Sequence, residues 1–169
     1  MKNKLTNLTE VLAYQLEGMY DTEKKLQHSI PICVEVIKLE ILKLEVKKYG
    51  ELATDKRTKL KRIFSYLLIE RFGRKNKVID SLLKDTQEMI KYASTDHLRD
   101  AVVLACMESI NHYKIANYNT ALAFAIVLNL ETVSDLLHEI LAWEKETATV
   151  LTKIAFEELN KKESPVLPS

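Results

Sequence analysis

The chain has 169 residues, 47% hydrophobic and 29% charged, enough for one domain with a sizeable core and too few for two domains of ordinary size. Its 25 Lys and Arg nearly balance its 24 Asp and Glu, which argues against nucleic-acid and anionic-membrane partners, since both call for a basic excess. Three Gly and three Pro are too few to punctuate a many-turned β protein.

Apolar residues recur at helical spacing almost throughout. The first helix is expected after Asn7, with Glu10 as capping-box partner, on the stripe Leu8, Leu12, Leu16, Met19, Glu23, Leu26 and Ile30. Pro31 interrupts it, and a second segment from Ile32 to Glu40 continues past the kink. A long helix from Ile41 to Phe72 follows, with Leu42, Val46, Tyr49, Ala53, Leu60, Ile63 and Leu67 on one face and Gly73 as left-handed C-cap. The basic run Lys56, Arg57, Lys59, Lys61 and Arg62 reads as a solvated face of this helix.

A shorter helix runs from Lys77 to Tyr92. Ser94 or Thr95 caps the next, from Asp96 to Leu128, which ends where Asn129 takes the left-handed conformation. The last helix spans Glu131 to Asn160. The expected organisation is therefore an all-α antiparallel four-helix bundle with an additional short helix over residues 1–160, then a flexible tail over residues 161–169 with Pro165 and Pro168. No convincing strand alternation and no short-period sequence repeat is evident.

The longest apolar stretch, Thr120 to Leu130, is too short to span a membrane. No apolar region of signal-peptide type follows Met1, and Cys33 and Cys106 read as buried free thiols, so a cytoplasmic location is expected. No cysteine spacing of zinc-finger type occurs.

In such bundles cofactor sites are built from inward-facing polar residues, so the polar residues on apolar stripes matter most. Glu23 lies in register with Met19 and Leu26, and Glu144 with Leu137, Ile140 and Leu151. Asn111 and Lys114 share a stripe with Met107, Tyr118 and Ala121. Two carboxylates and an ammonium facing one core should pair, because an isolated buried charge costs several kcal/mol, on the order of its desolvation penalty. Glu108 and His112, four residues apart, share a second face that can bind a metal. Tyr49 and Tyr118 read as core aromatics.

The segment Glu17-Gly-Met-Tyr-Asp-Thr-Glu23-Lys-Lys-Leu26, closed by Ile30-Pro31, is similar to the opening of the YciF-type ferritin-like family. His112-Tyr-Lys-Ile-Ala-Asn-Tyr118 resembles that family's Glu-His-Tyr-Glu-Ile-Ala-x-Tyr motif, and Leu136-Leu137, Leu141, Glu144-Lys145 and Leu151 resemble its last-helix motif. Leu60 and Phe64 match its second helix, and the likeness runs over about residues 6 to 156. The resemblance implies a ferritin-like bundle, a homodimer, a carboxylate-rich di-iron centre and a link to bacterial stress responses. It also implies a helix break around residues 38 to 41, where no turn residue stands.

Carried over residue by residue, that centre is depleted. Glu23 and Glu144 stand at carboxylate positions, but Asn111 and Lys114 replace two glutamates, and Tyr49 and Ala53 replace a His and a Thr. Trp143 and Ala148 replace a further Glu and Asp. The expectation is a non-catalytic scaffold or assembly protein without a cofactor, in which Lys114 takes the vacated metal position between Glu23 and Glu144, with Asn111 and Tyr49 in the same cluster. The alternative is an iron-binding stress protein or oxidoreductase using Glu23, Glu108, His112 and Glu144. A third reading, a partner-binding module, would place an apolar patch at Tyr66, Leu68 and Ile69.

Overall fold

The structure is a computed structural model that describes residues 4–69 and 73–159. Among these, five α-helices follow one another: α1 Leu8–Val36, α2 Glu40–Tyr66, α3 Lys77–Tyr92, α4 Asp96–Val127 and α5 Glu131–Ile154. A π-helical turn, Ala155–Leu159, continues α5.

The helix starts are chemically specified. Asn7 Oδ1 accepts from the Glu10 amide at 2.9 Å, and the Glu10 carboxylate reaches back to the Thr6 amide at 2.7 Å. Asn76 caps α3 by accepting from the Val78 amide, and Thr95, rather than Ser94, caps α4 through the Leu98 amide. These side chains satisfy amides that have no partner within the helix.

Three expected boundaries are corrected. Pro31 does not divide α1, which runs unbroken to Val36. The proline is exposed, while Leu26, Ile30 and Ile37 around it are buried, so packing offsets the one missing backbone bond. Gly50 of α2 makes room for this packing, because a Cβ there would stand 2.7 Å from Ile30 Cγ2. Secondly, α2 stops at Tyr66 instead of Phe72, and the left-handed residue is Leu68 (φ 56°) rather than Gly73. The Ile69 amide reaches the Phe64 carbonyl at 2.9 Å and the Leu68 amide the Ser65 carbonyl at 3.3 Å, the bonding of a Schellman ending. Phe72 itself lies outside the described residues. Thirdly, α5 gives way to the π turn after Ile154, while Asn160 and the expected tail at 161–169 lie outside the described residues. Asn129 behaves as expected, at φ 56° with the Leu130 amide on the Ala125 carbonyl.

The break between α1 and α2 falls at Ile37–Leu39, overlapping the expected one, and its cause lies far away in sequence. Asp100, in the second turn of α4, accepts from the Lys38 and Leu39 amides, each at 2.8 Å. One carboxylate thus caps the start of α2, which has no side-chain cap of its own.

The four long helices pack α1 on α2, α2 on α5, α5 on α4 and α4 on α1, and α3 lies outside against α4 and α1. The first half of α1 meets the last parts of α2 and α4 and the start of α5, so each neighbouring pair is antiparallel. The connection from α2 to α4 carries α3 along the outside as one long crossover.

The apolar interior has two parts. One holds Leu12, Leu16, Leu60, Phe64, Ala121 and Leu137, and the other Leu26, Leu42, Val46, Met107, Ile110 and Leu151. Between them on all four helices lie the positions of Glu23, Lys56, Lys114 and Glu144, each fully buried.

Replacing Asp100 by Ala removes two charge-assisted bonds. It is expected to lower stability by about 2–3 kcal/mol in urea unfolding and to raise amide exchange at Lys38 and Leu39. Asp100→Asn, which keeps one acceptor, should lose less.

Candidate functional site

Helical register sets the layer between the two apolar cores. Glu23 follows Met19 by four and precedes Leu26 by three, and Glu144 stands four after Ile140 and seven before Leu151. Lys114 is four after Ile110 and four before Tyr118, and Lys56 is three after Ala53 and four before Leu60. Side chains at such spacings share a face, so four ionisable groups are directed into one dry layer.

There they pair. Lys114 Nζ lies 2.8 Å from Glu23 Oε1 and 2.7 Å from Glu144 Oε1. Lys56 Nζ lies 2.5 Å from the same Glu144 Oε1. Tyr118 donates to Glu23 Oε1 at 2.8 Å, Tyr49 donates to Glu144 Oε2 at 3.0 Å, and the Asn111 amide donates to Glu144 Oε2 at 2.8 Å. Both ammoniums also sit by the Tyr49 ring, Lys56 at 4.6 Å and Lys114 at 4.5 Å from its centre.

Burial and the neighbouring charges pull these groups in opposite directions. Burial pushes the Glu144 carboxyl upward, but Lys114 and Lys56 outweigh it and hold the group at about 2. Burial pushes Lys114 down, yet Glu144 and Glu23 raise it well above the ordinary lysine range. Lys56 ends below that range, because burial and the repulsion of Lys114 exceed the pull of the carboxylates. Burial, with the nearby carboxylates, raises both tyrosines well above their usual value and keeps them as neutral donors. Counted by formal charge, two glutamates against two lysines leave the layer neutral. Two acceptors within it, Glu23 Oε2 and Asn111 Oδ1, have neither a hydrogen bond nor an ion pair.

Glu23, Asn111, Lys114, Glu144 and Tyr49 thus come together in one cluster. Lys56 corrects the reading of residues 56–62 as a wholly solvated face, since it is 0% exposed while Lys61 and Arg62 are exposed. The apolar positions of α2 skip from Ala53 to Leu60, and the residue filling that gap at helical spacing is Lys56. Tyr118, expected only as packing, is a donor to the layer. Glu108 and His112 stay outside it. His112 is exposed, and Glu108 is half-buried and accepts from Thr152 at 3.3 Å.

The family resemblance implies a di-iron centre here, and the layer does not fit one. The space between the two carboxylates is taken by ammonium groups, which offer no lone pair while protonated and repel metal ions. Among the described residues no group of three or more His, Cys, Asp or Glu is placed to hold a metal. No redox or Lewis-acid step is therefore routed through it.

Removing one member of a buried pair costs about 3–5 kcal/mol, because the survivor is left uncompensated. Lys114 joins both carboxylates and Lys56 only one. Urea unfolding is therefore expected to show a loss of this order for Lys114→Met and a clearly smaller one for Lys56→Met. The reverse ranking would contradict the assignment of Lys114 as the central cation.

A family model described as Domain of unknown function (DUF892) matches residues 7–164. Protein YciF of Escherichia coli (strain K12) is 33% identical over 84 residues, which is 50% of this chain and 51% of that protein, so the match spans about half of the curated relative. Among solved structures, YcfI from Rhodopseudomonas palustris, to which a structural role is provisionally ascribed, is similar with a TM-score of 0.88 and 23% identity, over 92% of this chain and 99% of that one. The structure of the E. coli stress protein YciF is similar with a TM-score of 0.87 and 24% identity, over 94% of this chain and 100% of that one. At that identity the two structures speak for the fold alone. No helix among the described residues is long and apolar enough to cross a membrane.

Proposed function

This chain belongs to the DUF892 family, and on that footing we propose that it is a non-catalytic structural protein, a ferritin-like bundle assembled as a homodimer, whose former metal position is held by Lys114. The observation that carries the reading is Lys114 Nζ, buried and within 2.8 Å of Glu23 and 2.7 Å of Glu144. A layer that balances its own charge and whose four charged members are all fully buried supports a role in holding four helices together. The single long crossover agrees with a ferritin-like connectivity. The structural role ascribed to YcfI points the same way, and the name of E. coli YciF suggests stress conditions as the setting.

Elemental analysis tests this directly. Protein purified without chelator is expected to carry iron and manganese far below one ion per chain. About two ions per chain would overturn the reading and favour an iron-dependent protein using Glu23, Glu144, Glu108 and His112.

The homodimer is supported by the outer face of α4. Between Ala101 and Val127 its only charged residues besides His112 are Glu108, half-buried, and Lys114, fully buried. Most exposed positions are small or apolar, among them Ala105, Ser109, Ala116, Ala123 and Val127, and the exposed polar ones are His112, Asn119 and Thr120. Depletion of charge marks the centres of interfaces, and a second copy offers a face equally free of charge. Light scattering is expected to give twice the 19.5 kDa chain mass, and Ala116→Glu in the middle of the face is expected to yield monomer. Thr149→Glu, on the exposed side of α5, should leave the dimer intact.

A further inference from the structure

The two lysines are not equivalent partners of one carboxylate pair. They share a single oxygen. Glu144 Oε1 lies 2.7 Å from Lys114 Nζ and 2.5 Å from Lys56 Nζ, so the two nitrogens stand within about 5 Å of each other. One carboxylate oxygen bridging two cations is the arrangement of a two-cation centre, whose ions lie roughly 3.5–4 Å apart. The layer also holds more oxygen than the lysines use. Glu23 Oε2 and Asn111 Oδ1 are buried acceptors without partners, and oxygen of this kind suits hard divalent ions.

We infer that Lys56 and Lys114 each fill one seat of a two-seat cation pocket, so that the number of divalent ions the pocket can take is set by how many of the two lysines remain. This rests on the reading of the layer as self-balanced, and goes beyond it by assigning the second seat to Lys56, a residue on a different helix from Lys114.

Electroneutrality makes the inference countable. With both lysines the layer is neutral and has no demand for an ion. Replacing either lysine by glutamate leaves three carboxylates and one ammonium, a net charge of minus two, which one divalent ion balances. Replacing both leaves four carboxylates and no ammonium, which two ions balance. An unbalanced charge of this kind in a dry layer is strongly destabilising, so binding is coupled to folding.

The test uses Mn2+ on the full chain, with bound manganese measured after dialysis and helicity followed by circular dichroism. The expected content is none for the natural protein, one ion per chain for K114E, one for K56E and two for K56E/K114E. Variants that lose helicity without metal are expected to regain it at those same stoichiometries. K56E binding no Mn2+ while K114E binds one or two would overturn the second seat. A double variant that binds one ion only, or stays unfolded in Mn2+, also counts against the inference. Natural protein that itself loads manganese would instead overturn the reading of the layer as self-balanced, so the two failures are told apart.

Discussion

The contact on which the bundle depends is the bridge from Glu144 Oε1 to two ammonium groups. It draws α2, α4 and α5 to a single atom, and Lys114 extends the link to Glu23 of α1. Every long helix therefore contributes one charged residue to a single layer. The burial cost is met because all four charges are paired there and tyrosine hydroxyls and the Asn111 amide supply further donors. The acid strength of Glu144 and the high affinity of Lys114 for its proton are two sides of the same pairing.

Much of the fold was legible in the sequence because its signals are local. The Asn7, Thr95 and Asn129 positions announce helix ends through chemistry that acts within a few residues. The misread boundaries have causes that are not local. The corner between α1 and α2 is capped by Asp100, about 60 residues away along the chain. Pro31 is carried inside α1 by packing against α2, and Leu68 takes a backbone conformation that costs a non-glycine residue about 1–2 kcal/mol while Gly73 nearby does not.

The candidate site divides in the same way. Glu23, Asn111, Lys114 and Glu144 stood out because each interrupts an otherwise apolar stripe. Lys56 escaped because it opens a run of basic residues, and a run hides which member faces inward. Its helical phase was nonetheless present in the seven-residue spacing from Ala53 to Leu60. Composition placed Lys56 on the surface, and periodicity placed it in the layer. Where the two disagree for a long polar side chain, periodicity is the better guide to direction and the availability of a counter-ion decides whether burial is tolerated.

The division of the interior into two apolar regions with a polar layer between them has a consequence for how the chain chooses its structure. Apolar contacts are permissive about sliding, since one leucine fits nearly as well as the next along a groove. Charges are not. A slip of any long helix by one turn, about 5.4 Å, would carry Glu23, Lys56, Lys114 or Glu144 into one of the apolar regions and strand its partners. The layer thus acts as a key that admits one alignment of the four helices. It also ties the fates of the two halves together, because neither can close without the charges contributed at their shared boundary, and the bundle should form as one cooperative unit.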